Sequence, residues 1–214
     1  LRPDGNKGAL AIAEQRLRQY YQEEAQFWER FALMKVRAVA GDLDFMQAVE
    51  KTAREIAFSV PLERSGMENL EMLRRKHAAA APPQDLKRRE GGIAEIEFTT
   101  RLLQLQHVGR CPQLMRGGVY GALDILKSES FVSEEVHQHL YDGYTFFRRL
   151  LNRSRMVRGS SSSRLSDNPE QLHRLEACLG ISGDLMALVE TQAAQVHAIY
   201  QQIYKTVYDG ISES

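Results

Sequence analysis

Cysteine is scarce in this chain: only Cys111 and Cys178 occur among its 214 residues. Two cysteines are too few for a disulfide framework, and this usage is typical of a reducing compartment such as the cytosol. No apolar run approaches the roughly 18 residues that a transmembrane helix requires. The first residues also lack the basic start and apolar core of a signal peptide. These absences predict a cytoplasmic protein that is not embedded in a membrane.

An excess of charge of either sign is also missing, because 28 basic and 28 acidic residues give a formal net charge of zero. Nucleic-acid modules and proteins that bind anionic membranes usually carry a basic excess, so the composition disfavours both classes. Metal-binding signatures such as HExxH and CxxC are absent, and His137 and His139 are too close in sequence to share a helix face. A zinc site is therefore not expected.

Helical periodicity dominates the sequence, and no stretch alternates polar and apolar residues for more than a few positions. Residues 13–40 contain no glycine or proline and predict one long helix that ends at Gly41, with Arg37 in its last turns. The stretches 78–85 and 158–167 predict loops, the second of them solvated and flexible. Further helices are expected over residues 43–58, 66–77, 92–108, 119–127, 133–157, 168–180 and 182–208.

The fold class that follows is mainly α, a helical bundle with at most a short extended piece at residues 1–12. Three of the helix starts carry residues that suit an N-cap. Ser133 precedes two acids, and Asn168 precedes a proline at the first helical position. Ser182 is the cap expected for the final helix.

The stretch "LKRREGGIAEIEF", residues 86–98, places a basic cluster and two glycines directly before a helix. The first amides of a helix are unpaired and carry partial positive charge. Gly91 and Gly92 would let a phosphate approach these amides closely, and Lys87 would add a full charge. The same residues also fit a plain turn that begins a helix and carries solvated basic side chains. The sequence leaves both interpretations open.

Glu95 and Glu97 cannot form a metal pair on this helix, because at ~100° per residue they lie about 160° apart around its axis. Glu97 shares its face with Arg101, four residues later, whereas Glu95 lies on the opposite face. Apolar side chains separate the two faces, so the helix is expected to be wedged between two packing partners. An acid held there needs a buried partner or a functional role. Which of the two acids faces a functional site stays open.

A second group of charged residues lies near Trp28, the single tryptophan of the chain. In one long helix Arg30 and Arg37 would share a face, because they are seven residues apart. Together with Lys35 they could form a cationic stripe that meets a nucleotide or an acidic partner. A solvated helix face with Glu29 nearby explains the same residues equally simply.

Three stretches together resemble the glutamine-synthetase adenylyltransferase family, whose members are also called glutamate–ammonia-ligase adenylyltransferases. They are "LRPDGNKG" at residues 1–8, "YYQEEAQFWERFALMKVRAVAGD" at 20–42 and "LKRREGGIAEIEF" at 86–98. Their order and spacing also match the family. "YTFFRRLLNRSRM" at 144–156 is similar to a later helix of the family, and the remaining C-terminal residues match only in general helical character.

The resemblance implies a two-headed bacterial enzyme that regulates nitrogen assimilation. Each half of such an enzyme is similar to a nucleotidyltransferase palm followed by helices. One half transfers AMP from ATP to a tyrosine of glutamine synthetase, and the other removes it by phosphorolysis. ATP and Mg²⁺ are the implied cofactors of the full-length enzyme, and the PII signal protein and glutamine are the implied regulators. Which of the two halves this chain represents stays open.

One part of the family pattern is missing from this chain. The palm of the family carries a Gly-Ser…Asp-x-Asp motif and a further Asp just before "RLRP", and these acids hold two Mg²⁺ ions. The chain starts without a methionine at the leucine of that last motif, so we expect it to be an internal piece of a longer protein. Residues 1–12 are expected to be the palm's final edge and residues 13–214 the helical domain. Alone, this piece is expected to hold no Mg²⁺ or ATP and to be inactive.

No catalytic or metal-binding residue is therefore expected within the chain. Residues that match the family's motifs are assigned to positioning ATP, AMP or the phosphoryl group. They are Arg2, Lys35, Arg37, Lys87, Gly91, Gly92, Glu95 and Glu97. Two other functions stay open: a non-catalytic helical module that docks the PII protein or glutamine synthetase, and a helical bundle with only a structural purpose.

Overall fold

A computed structural model of the chain describes residues 8–211. This part of the chain is built from helices and contains no strand, and an isolated bridge joins Asp85 to Arg164. The mainly α fold class is thus confirmed. A 3-10 helix at Pro112–Met115 lies between the fifth and sixth α-helices. The α-helices of the described residues are, in chain order, α1 (Glu14–Glu23), α2 (Phe27–Leu33), α3 (Leu43–Phe58), α4 (Arg64–Ala79), α5 (Ile93–His107), α6 (Val119–Ser128), α7 (Glu134–Arg158), α8 (Pro169–Leu179) and α9 (Leu185–Asp209).

The long helix predicted over residues 13–40 is wrong, because α1 and α2 are separated by a break at residues 24–26. A capping box begins α2: the amide of Gln26 donates to Oε2 of Glu29 at 2.9 Å. The hydroxyl of Tyr20 on α1 donates to the other oxygen of Glu29 at 2.6 Å. The break turns α2 so that Phe31 and Leu33 enter the core. Tertiary packing therefore overrides a strong local helix propensity.

The early end of α2 also changes the position of the cations that follow it. Arg37 lies in the loop between α2 and α3, so it does not share a helix face with Arg30 as predicted. Gly41 does not cap this helix either; it precedes Asp42, which is the N-cap of α3 and accepts from the amide of Phe45 at 3.0 Å. The cationic stripe predicted along one long helix is thus replaced by a charged loop.

The N-caps of the later helices follow the sequence signals in two cases out of three. The hydroxyl of Ser133 accepts from the amide of Val136 at 3.2 Å, and Asn168 caps α8 through the amides of its first turn. The cap expected at Ser182 is wrong, because α9 is capped by Asp184, which accepts from the amide of Met186 at 2.8 Å. An aspartate suits this position as well as a serine does, since its negative charge is also stabilised by the positive end of the helix dipole.

The two predicted loops contact each other. The amide of Leu86 donates to the carbonyl of Ser163 at 3.0 Å, and the amide of Leu165 donates to the carbonyl of Gln84 at 2.9 Å. Leu86 and Leu165 are both buried beside this contact. The serine-rich loop is therefore anchored by its backbone, while Ser161 and Arg164 stay exposed. It ties the chain between α7 and α8 to the turn that precedes α5.

Helix α5 lies at the centre of the fold, wedged between two hydrophobic clusters as expected. Ile96 and Leu103 pack into the larger cluster, which is formed mainly with α6, α7, α8 and α9. Phe98 and Leu102 pack into a second cluster with Phe31 of α2 and with side chains of α4 and α9. A third cluster joins α1, α2 and α3.

The beginning of the described chain contains no regular secondary structure. Residues 1–7, which include Arg2, lie outside the described residues, and residues 8–13 form bends without a regular element. The assignment of residues 1–12 to the edge of a palm therefore stays a prediction. Among residues 8–211, no helix combines the length and the apolarity that crossing a bilayer would demand.

Candidate functional site

The turn before α5 brings Gly91 directly against α9, while Gly92 packs against the turn itself. Gly91 has φ +69°, in the left-handed region that favours glycine. A Cβ atom on Gly91 would lie 1.9 Å from the carbonyl oxygen of Ala193, which is far inside van der Waals contact. A Cβ on Gly92 would lie 2.9 Å from the carbonyl oxygen of Leu86. Close packing of backbone against backbone therefore accounts for both glycines.

The amides at the start of α5 are already engaged. The amide of Gly91 donates to Oε2 of Glu95 at 2.6 Å, and that of Gly92 donates to the carbonyl of Arg89 at 3.0 Å. The amides of Ile93 and Ala94 donate to carbonyls in the preceding turn, at 3.0 and 2.9 Å. A phosphate could reach these amides only by displacing internal hydrogen bonds. The turn can therefore contribute to a site through the side chains of its basic cluster, and not through free backbone amides.

Glu95 is the centre of a buried ionic network. Its side chain is 2% exposed, and its Oε1 lies 2.5 Å from a guanidinium nitrogen of Arg74 on α4. Nδ1 of His197 on α9 lies 3.0 Å from Oε2. Together with the amide of Gly91, these contacts join α4, α5 and α9 through a single carboxylate. Glu95 thus has the buried partners that an acid in a packed interface requires.

The network continues from Arg74 to Glu71 and Tyr200. Arg74 donates to Glu71 at 2.7 Å, and its guanidinium lies 4.5 Å from the centre of the Tyr200 ring. The hydroxyl of Tyr200 donates to Glu71. Burial, and then the hydrogen bond to this carboxylate, raises the pKa of Tyr200 well above its usual range. Burial opposes ionisation of Glu71, yet hydrogen bonds from Arg74, Tyr200 and Arg75 outweigh it and lower the pKa of that carboxyl.

Glu97 faces the other side of α5 and has a different set of partners. Its Oε2 lies 2.5 Å from Nζ of Lys35 and 3.3 Å from a guanidinium nitrogen of Arg101. The hydroxyl of Tyr144 on α7 lies 3.5 Å from Oε1. Burial raises the pKa of Glu97, but the hydrogen bond and charge of Lys35, together with Arg101, lower it to below the usual range. Glu95 and Glu97 thus have separate partners on α5, as their predicted opposite positions require, although both residues also line one surface groove.

Lys35, Glu97 and Arg101 separate two surface grooves. The Arg37 groove, of about 400 Å³, is bordered by Arg37, Arg54 and Tyr144 in addition to these three residues. The Trp28 groove, of about 390 Å³, is bordered by Trp28, Lys87 and Arg88 in addition to the same three. Arg37 and Lys87 thus lie in different grooves, on either side of Lys35, Glu97 and Arg101, which both grooves share.

The cations of these two grooves exceed the carboxylates that face them. Arg37, Lys87 and Arg88 are exposed and form no ion pair within residues 8–211. Burial, and then the charge of Arg101, lowers the pKa of Lys35, and Glu97 acts in the opposite direction. The single carboxylate of Glu97 is shared by Lys35 and Arg101. A negatively charged ligand would therefore meet positive charge that no described side chain neutralises.

A larger cleft of the described residues lies elsewhere, between α4 and α9, with a volume of about 1000 Å³. Its cations are all paired: Arg74 with Glu71 and Glu95, Arg75 with Glu71, and Arg89 with Glu190 at 2.5 Å. Charge, rather than size, thus distinguishes the two smaller grooves as candidate sites for a phosphate.

The described residues do not fit a pair of magnesium ions. Among them, no three His, Cys, Asp or Glu side chains converge as metal ligands. Glu95 and Glu97 are each held by cations and have no partner in common. Carboxylates for Mg²⁺ would have to come from outside residues 8–211.

Comparison with known proteins agrees with the motifs that surround these grooves. A family model described as glutamate-ammonia ligase adenylyltransferase matches residues 1–52, and one described as GlnD PII-uridylyltransferase matches residues 65–204. A bifunctional glutamine synthetase adenylyltransferase/adenylyl-removing enzyme of Xanthomonas axonopodis pv. citri is 34% identical over 95% of this chain. The chain belongs to the glutamine synthetase adenylyltransferase family.

Other adenylyltransferases of this family give the same result. The enzyme of Stenotrophomonas maltophilia (strain R551-3) is 34% identical over 84% of this chain, and that of Pseudomonas syringae pv. tomato is 28% identical over 85%. The chain spans only 22%, 20% and 19% of these three relatives. It thus corresponds to about a fifth of an adenylyltransferase of this kind.

Sequence reasoning about this chain missed Arg74 and His197. They bind Glu95 from positions 21 and 102 residues away along the chain. No local pattern marks either residue, since each lies on a helix with ordinary amphipathic spacing. A buried acid on α5 indicated that partners must exist, but their identity depends on which helices pack against it.

Proposed function

We propose that this chain is the helical part of an enzyme that adenylylates and deadenylylates a tyrosine of glutamine synthetase, and that its grooves position the phosphate of the nucleotide. The observation that carries the proposal is that each of the two grooves beside Lys35, Glu97 and Arg101 carries an exposed cation without an ion pair, Arg37 in one groove and Lys87 in the other. These cations come from the loop after α2 and from the turn before α5, and a phosphate bound in either groove would meet one of them together with Lys35. Relatives named for both activities support the choice of reaction.

Within this proposal each motif residue has a specific part. Arg37 and Lys87 have free charges that can meet phosphate oxygens directly. Glu97 holds Lys35 and Arg101 in place, so that their positive ends border both grooves. Charge placed in advance of the reaction stabilises the phosphoryl group without reorganising solvent at that moment. Gly91, Gly92 and Glu95 support the site indirectly, because they fix the turn that carries Lys87 against α4 and α9.

The cofactors and partners belong to the same proposal. ATP would supply the AMP, and Mg²⁺ held by carboxylates outside residues 8–211 would activate the phosphoryl group. Glutamine synthetase would be the protein substrate, with the PII signal protein and glutamine as regulators. The 214-residue chain alone is proposed to be inactive, because the described residues offer no metal site.

AMP transfer and AMP removal, measured on the complete enzyme, test the proposal through Arg37→Ala and Glu97→Ala. We expect at least one of the two rates to fall by at least ~10-fold for one of these variants, a loss of about 1.4 kcal/mol of transition-state stabilisation. Arg153→Ala, at an exposed position of α7, is the matched control for removing one cation. Wild-type rates in both variants would contradict the assignment of the site.

A docking module without chemistry is the second candidate function, and exposed apolar side chains near the start of α3 favour it. Val39, Leu43 and Phe45 are 78%, 72% and 60% exposed, and such groups often mark a protein interface. Leu43→Ser and Phe45→Ser would separate the two functions. Loss of PII or glutamine synthetase binding with unchanged AMP chemistry in the complete enzyme would assign this surface to docking.

A further inference from the structure

Trp28 is exposed although its neighbours on α2 are not. The indole is 41% exposed, whereas Phe31, three residues later, is 7% exposed and packs into the core beside Phe98. Trp28 belongs to none of the three hydrophobic clusters. It borders both the Trp28 groove and a neighbouring depression between the start of α2 and α4. An aromatic surface of this size at the edge of a groove is available to stack on a ligand.

The Trp28 groove is lined by both apolar and charged side chains. Phe31, Leu70 and Phe98 supply apolar surface at the floor. Lys87 and Arg88 border the groove with charges that no carboxylate of the described residues neutralises. Both carboxylates that line the groove are already held, Glu97 by Lys35 and Arg101, and Glu95 by Arg74 and His197. The groove thus combines aromatic and apolar surface with positive charge.

We propose that the Trp28 groove binds a single purine nucleotide, with the base stacked on Trp28 and the phosphate between Lys87 and Arg88. The volume of about 390 Å³ lies at the small end of ligand sites, which run from roughly 300 to 1,000 Å³. Every base offers a face for stacking on an aromatic ring, and paired cations suit a phosphate dianion. The choice of adenine rests on the proposed function; the groove itself specifies a base and a phosphate.

An acidic peptide is the alternative ligand for a cationic groove, and the observations favour it less. A peptide would need unpaired charge distributed along an extended surface, whereas the exposed cations without an ion pair, Lys87 and Arg88, are adjacent in the chain. The other cations that line the groove are held by carboxylates: Lys35, Arg74, Arg89 and Arg101. The apolar floor also offers carboxylate side chains no partner. A peptide that binds here while AMP does not would overturn the proposal.

The single tryptophan makes the proposal directly measurable. Titration of AMP into the 214-residue chain, with EDTA present to remove Mg²⁺, should quench the fluorescence of Trp28 to saturation. Adenosine should quench with at least about 5-fold weaker affinity because it lacks the phosphate, and inorganic phosphate should compete with AMP without quenching. A linear, non-saturating response to AMP, or no response, would overturn the proposal.

Variants separate stacking from charge, with binding followed by calorimetry. Trp28→Ala should weaken AMP binding by at least about 5-fold, whereas Trp28→Phe should stay within about 3-fold of wild type because a ring remains. Phe45→Ala, at another exposed aromatic residue, should leave AMP affinity unchanged and controls for the loss of a ring. Lys87→Ala/Arg88→Ala should weaken AMP binding and leave adenosine binding unchanged. Equal affinities in wild type and in both groove variants would overturn the proposal.

The failure of this inference can be distinguished from the failure of the proposed function. If AMP does not quench Trp28 while Arg37→Ala or Glu97→Ala slows AMP chemistry in the complete enzyme, the nucleotide lies in another groove and the function stands. If AMP binds as described and the complete enzyme neither transfers nor removes AMP, the groove is a nucleotide site but the proposed function is wrong.

Discussion

Arg74 on α4 and Glu95 on α5 form an ion pair of 2.5 Å in which both side chains are almost completely buried. Glu95 is 2% exposed and Arg74 is 11% exposed. Removing one partner of a buried pair leaves an uncompensated charge, which is more costly than the net value of the pair itself. The pair also joins two helices that are separated by the longest loop between α1 and α5.

Glu95→Ala should therefore destabilise the protein by about 3–5 kcal/mol. Unfolding of the chain in urea, followed by circular dichroism, measures the change. Glu55→Ala is the matched control, because Glu55 is exposed and lies 3.9 Å from Lys51 in a loose pair on α3. That control should stay within about 0.5 kcal/mol of wild type. Equal stability of the two variants would contradict the role of Glu95.

Gly91→Ala should be more destabilising than a positive φ alone explains. Gly159 has φ +59° and open space around the position of a Cβ, so Gly159→Ala measures the backbone cost, about 1–2 kcal/mol. Gly91 has φ +69°, and in addition a Cβ atom added to it would lie 1.9 Å from the carbonyl oxygen of Ala193. Overlap of this kind costs a further 1–3 kcal/mol or so. Similar melting temperatures for the two variants would show that α9 moves away without cost.

The free energy of unfolding should fall at acid pH because Glu71 becomes protonated. The pKa of this carboxyl is lower in the folded state than in the unfolded chain, where it is about 4.3. The unfolded state therefore binds more protons, and the stabilisation that is complete above about pH 5 is lost as the pH falls through the folded pKa. Glu71→Gln should flatten the dependence of the free energy of unfolding on pH below 5, and Glu55→Gln, which removes an exposed carboxyl on α3, should not. An unchanged slope in Glu71→Gln would show that Glu71 does not cause the loss of stability in acid.

Magnesium should not enhance binding of ATP to the 214-residue chain. Within residues 8–211 the carboxylates near the grooves are held by cations, and no metal site is formed. Calorimetry with ATP, in the presence of Mg²⁺ and then of EDTA, should give affinities that agree within about 3-fold, because the cations of the grooves act on phosphate without a metal. Tight binding that depends on Mg²⁺ would contradict the argument that the metal-binding acids lie elsewhere.

Local signals in the sequence located most helices closely. The predictions of 43–58 and 168–180 agree with α3 and α8 because apolar spacing, N-caps and a terminal glycine act within a few residues of one another. The same signals failed at residues 24–26. There the hydroxyl of Tyr20 and the capping box of Gln26 and Glu29 stabilise a break that no glycine or proline announces.

The candidate site was predictable only in part, and the motif at residues 86–98 shows why. Helical geometry alone placed Glu95 and Glu97 on opposite faces, and the contacts confirm it. The role of Gly91 could not be read from the motif, because the carbonyl that requires a glycine belongs to Ala193, about a hundred residues later. The position of Arg37 in a groove beside Glu97 depended in turn on the early end of α2.

The sequence by itself determined the mainly α class, the wedge of α5 between two apolar clusters, and the family, because these follow from periodicity and from short motifs. Only the tertiary structure decided which cations meet Glu97, which ones hold Glu95, and where positive charge is left without a partner. The physical reason is that ion pairs and backbone contacts join residues far apart in the chain. Their partners are set by how the helices pack, and helix packing is not encoded in any single segment.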